Sequence, residues 1–68
     1  MSERVYVACH WSAATHKSIA QGVFKTWQGA AELLYKQGAT SLEKCPDGRW
    51  RQVIGTEKFR ITDMPVLP

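Results

Sequence analysis

Apolar and polar residues alternate along RVYVACHW, residues 4–11, with Val5, Val7 and Cys9 on one parity and Tyr6, Ala8 and His10 on the other. A period of two in a run rich in β-branched and aromatic residues predicts a strand. The period lengthens in TWQGAAELLYKQGAT, residues 26–40, where Trp27, Ala30, Ala31, Leu34 and Tyr35 recur at helical spacing. Gln28, Glu32 and Lys36 fall on the opposite side, so this segment reads as an amphipathic helix. Thr26 has the hydroxyl that an N-cap needs, Lys36 suits the negative end of the helix dipole, and Gly38 suits a left-handed stop.

Residues 12–25, SAATHKSIAQGVFK, admit two readings. Ile19, Ala20, Val23 and Phe24 extend the helical stripe backwards, which would make one long helix from Ser12. Gly22, the β-branched residues and the capping quality of Thr26 argue instead for a loop at Ser12–Lys17 and a strand near Ser18–Lys25 that pairs with the first. The strand is the preferred reading. Beyond the helix, TSLEKC and RWRQVI flank Pro46, Asp47 and Gly48, a turn sequence that makes a hairpin of them. Gly55 and Thr56 break the chain before EKFRITDM, where Phe59 and Ile61 alternate with Lys58, Arg60 and Thr62. The proline-flanked end reads as an extended tail over residues 63–68.

The expected architecture is a single α+β domain over residues 1–68: a small antiparallel sheet of three to four strands with one amphipathic helix on one face. A lone helix covers one face, and the other is left to solvent or to a partner. Phe59 and Ile61 are expected to face the helix, with Lys58 and Arg60 on the open side. The matching choice in RWRQVI puts Trp50, Gln52 and Ile54 inward and Arg49, Arg51 and Val53 outward. In the first strand Val5, Val7 and Cys9 are expected inward, leaving Tyr6 and His10 beside the cations. An alternative register, with Trp50 outside and Val53 inside, fits the alternation equally well.

Composition sharpens this picture in two places. The 68 residues carry a net charge of +3, but residues 40–68 set five cations against four anions, so a basic patch needs three-dimensional sorting rather than a charge run. The two cysteines, Cys9 and Cys45, make no disulfide framework and point to a reducing, cytoplasmic setting. No run approaches the ~18 apolar residues of a membrane span, and the N-terminus lacks the apolar stretch of a secretory leader, so a soluble protein without a membrane partner is expected.

Candidate chemistry is thin. Cys9, His10, His16 and Cys45 carry metal-binding atoms, yet adjacent Cys9 and His10 point to opposite faces of a strand and no Cys-x-x-Cys pair exists. No base is visibly oriented toward a nucleophile, and no phosphate loop or dinucleotide fingerprint is present. The expectation is a non-catalytic binding module without metal or cofactor. Its binding residues would be Arg49, Trp50, Arg51, Lys58 and Arg60, with Tyr6 and His10 alongside. Two partner classes fit such a surface: nucleic acid, held through its phosphates, and a larger protein, which the module would occlude as an inhibitor or adaptor. A homodimer built on the open sheet or its edge is a third reading.

Overall fold

The computed structural model describes residues 3–66 and consists of a five-stranded antiparallel sheet with one helix on one face. The elements run β1 (Arg4–Ser12), β2 (Lys17–Phe24), α1 (Trp27–Lys36), β3 (Glu43–Lys44), β4 (Trp50–Ile54) and β5 (Glu57–Pro65). Their spatial order is β2-β1-β5-β4-β3, so β5 closes the sheet by pairing with β1 on one side and β4 on the other. The strand reading of residues 18–25 holds, and β2 pairs with β1 as expected. Of the expected tail, residues 63–65 are the end of β5 and pair with β1, and residues 67–68 lie outside the described residues.

The sheet has five strands rather than three or four because β3, a two-residue element, still pairs with β4 through Glu43–Arg51 and Lys44–Trp50. The rest of TSLEKC is diverted from the ladder. The Gln52 side-chain carbonyl accepts from the Thr40 and Ser41 backbone N–H groups at 2.8 and 2.9 Å. Its amide donates to the Thr40 hydroxyl at 2.8 Å. One glutamine thus takes the place of the strand pairing that alternation alone suggested. The Pro46–Gly48 turn forms as read: Gly48 has φ 87°, and the Gly48 N–H donates to the Cys45 carbonyl at 2.9 Å.

Helix α1 has the ends its sequence calls for. The Thr26 hydroxyl accepts from the Gly29 N–H at 3.1 Å. At the other end the Ala39 N–H reaches the Leu34 carbonyl and the Gly38 N–H reaches the Tyr35 carbonyl, with Gly38 at φ 118°. That pair of bonds around a left-handed glycine is the Schellman stop. Ala30, Ala31 and Leu34 are buried, whereas Tyr35 is exposed and Leu33 takes its place against the core.

The face of β1 is the main correction. Ala8, His10 and Ser12 are buried and Tyr6 packs on the core, so the even parity faces the helix. Val5, Val7 and Cys9 face outward, opposite to the expectation from hydropathy, and Tyr6 and His10 do not join the cations. Side-chain size explains the reversal. Gly22, Ala8, Ile61 and Trp50 form one cross-strand row beneath the helix. The two small residues at one end let α1 sit close over β1 and β2, and a Cβ on Gly22 would stand 3.0 Å from the Phe24 ring. Valines on β1 would hold the helix off. On the other side, Trp27 and Tyr6 fill the wedge against Trp50, with ring centroids 6.0 and 6.3 Å away.

Candidate functional site: the open face of the sheet

Directly opposed residues of an antiparallel pair project to the same face. The ladder sets Cys9 opposite Arg60 and Arg60 opposite Arg51; one step along, Trp11 lies opposite Lys58 and Lys58 opposite Val53. Arg51, Lys58 and Arg60 therefore stand together on the face away from the helix, as expected. Val53 joins them and Trp50 and Gln52 turn inward, which settles the register of β4. On β2, a register shift at His10/Trp11 leaves Ile19 as the extra residue, so Gln21 pairs with Cys9 and Ser18 with Trp11.

These side chains surround a shallow depression of about 680 Å³. Its floor is low where Cys9 and Ser18 are short, and its walls are the longer Trp11, Gln21, Arg51, Lys58 and Arg60. The Lys58 ammonium sits 5.1 Å from the Trp11 ring centroid, and His16 meets the same ring edge-on at 6.1 Å. Hydropathy alone gives no sign of Trp11 as a binding residue, because it directs Val5, Val7 and Cys9 to the core. Once that parity points outward, Trp11 goes with it.

The charges on this face are unequally balanced. Arg51 donates to Asp47 at 2.7 Å and lies beside Glu43 in the ladder. Among the described residues, neither Lys58 nor Arg60 has a carboxylate within salt-bridge distance. Arg51 and Arg60 are directly opposed, an arrangement of like charges that costs stability.

The remaining sequence candidates lie elsewhere. Arg49 is exposed at the turn and does not line the depression; its N–H donates to the Asp47 carboxylate at 3.0 Å. Trp50 is partly buried and packs against the core from the helix side, with the Lys44 ammonium 5.4 Å from its ring. Tyr6 packs under the helix side of the sheet. His10 is 3% exposed and stacks on Phe59 at 4.2 Å, with Nε2 3.7 Å from the Glu57 carboxylate. Burial takes Tyr6, His10 and Trp50 away from the open face, where their aromatic character had suggested contact.

The same face has an apolar half. Val5, Val7 and Cys9 are half-buried, and beside them Val23 and Met64 are 66% and 50% exposed. Among the described residues no three of His, Cys, Asp and Glu come together as a metal site, and no helix is long and apolar enough to cross a membrane. Cys9 and Cys45 are free thiols. No protein family, curated protein or solved structure matches this chain.

Proposed function

We infer that the protein is a small non-catalytic binding module of a reducing, cytoplasmic compartment, and that its open sheet face holds single-stranded nucleic acid through the phosphates. The observation that carries this reading is the row Lys58, Arg60 and Arg51. Two of these cations lack a carboxylate partner among the described residues, and two oppose each other across a ladder at a cost in stability. An anionic ligand relieves that repulsion. A single strand suits the face better than a duplex. Five strands at ~4.8 Å spacing span roughly 19 Å, too broad to enter a major groove of about 12 Å. A flexible backbone can lie across the sheet, with bases free to contact Trp11 and the apolar positions.

The test is fluorescence anisotropy of a labelled single-stranded oligonucleotide across a salt series. Single-strand phosphate contacts contribute about 0.7 each to the slope of log affinity against log salt, so three cations predict a slope near −2. Arg60→Ala is expected to weaken binding and to reduce the slope by about 0.7. A salt-independent affinity, or an unchanged slope in the variant, rejects the reading.

A second reading has its own support in the apolar half of the face. Exposed Val23 and Met64 beside Val5 and Val7 form the type of patch that marks protein contact. The partner would be a larger protein or a second copy of the chain. Light scattering showing a stable dimer, with no salt-dependent oligonucleotide binding, would favour it.

A further inference from the structure

We propose that the depression over Cys9 is a subsite for one nucleotide unit, its base against Trp11 and Cys9 and its phosphate on Arg51, Arg60 and Lys58. This rests on the nucleic-acid reading above and adds to it a defined pocket and the ligand that fills it. The lining is divided in the way such a ligand is divided. Trp11 and Cys9 on β1 are apolar, while the cations stand on β5 and β4 with Val53 beyond Lys58, and both sets share one concavity of about 680 Å³. Small-ligand sites usually fall within roughly 300–1,000 Å³, so the space is adequate for a nucleotide. An inorganic anion would engage the cations and leave the apolar lining wet. A nucleoside without phosphate would do the reverse. A flat ring joined to a phosphate uses both.

Two polar groups stand where the edge of a base would lie. The Gln21 amide has both a donor and an acceptor end, and the Ser18 hydroxyl both donates and accepts. The short Cys9 side chain gives the ring its depth: it pairs with Gln21 on one side and Arg60 on the other, between taller neighbours. A larger residue at this position fills the subsite without entering the helix-side core, because Cys9 projects to the open face.

The experiment is a calorimetric titration of the intact chain with adenosine 5′-monophosphate, inorganic phosphate and adenosine, all at one low ionic strength. The monophosphate is expected to bind about tenfold or more tighter than either of the other two. Cys9→Phe is expected to abolish that advantage while leaving the inorganic phosphate affinity within about twofold. Trp11→Ala, which removes the ring against which the base lies, serves if Cys9→Phe does not fold. It is expected to reduce the advantage in the same way. Equal affinity for monophosphate and phosphate, or an advantage that survives either folded variant, overturns the subsite. If the oligonucleotide still binds with a steep salt dependence in that case, the wider reading stands without the pocket. If neither oligonucleotide nor monophosphate binds, both are overturned.

Discussion

Asp47 joins the turn to the cation row. Its carboxylate accepts from the Arg49 N–H at 3.0 Å and from the Arg51 guanidinium at 2.7 Å. The backbone donor first, then the charges of Arg51 and Arg49, hold its carboxyl below the ordinary 3.8, against an opposing push from desolvation. Because the folded group binds its proton less readily than the unfolded one, its stabilisation is present above about pH 3.8. It is lost as pH falls through the lower folded midpoint. An NMR titration of the Asp47 carboxyl is predicted to give a midpoint below 3.8, moving up in Arg51→Ala; a midpoint at or above 3.8 in the parent contradicts this account. The same contact sets a functional expectation. Asp47→Asn removes the anion that competes for Arg51, so oligonucleotide affinity should rise; a fall would place Asp47 in the ligand contact itself. The turn was legible in the sequence, since Pro46, Asp47 and Gly48 each suit a turn for a local reason. The Asp47–Arg51 contact was not, because it depends on where β4 sends its side chains.

The elements divide along the same line. Helix α1 was readable to within its caps, since Thr26 and Gly38 act on their own backbone neighbours. The strand at Lys17–Phe24 was one of two readings open to residues 12–25, favoured over a helix by Gly22 and the β-branched residues. The face of β1 did not follow from hydropathy, because both parities are largely apolar and only the fit to α1 chooses between them. Ala8 and Gly22 are the contact surface for a helix that presents Ala30, Ala31 and Leu34. Enlarging that surface should cost more than its hydrophobicity returns. Ala8→Leu is predicted to destabilise by about 1–3 kcal/mol in urea unfolding, through overpacking beneath the helix. Val7→Leu, on the open face, should change stability by less than about 0.5 kcal/mol. A larger cost at Val7 than at Ala8 would mean that β1 faces the other way. Leu34→Ala, which opens a cavity at the centre of the core, is predicted to cost about 2–5 kcal/mol by the same measurement.

At the scale of the whole molecule, one helix on a five-stranded sheet leaves an amphipathic face uncovered, basic along β5 and β4 and apolar along β1 and β2. That the cations gather there was visible in the alternation of Lys58, Arg60 and Thr62 with Phe59 and Ile61. That Trp11 and Cys9 join them, while Tyr6, His10 and Trp50 turn inward, needed the ladder register. The most direct measurement is an amide chemical-shift map of the intact chain titrated with a short single-stranded oligonucleotide at low salt. Perturbations are predicted at Cys9, Trp11, Arg51, Lys58 and Arg60, diminishing as salt is raised, with Gln28, Glu32 and Lys36 on the exposed side of α1 unmoved. Perturbations centred on α1, or no change at any of the open-face amides, would contradict the assignment of this face as the binding surface.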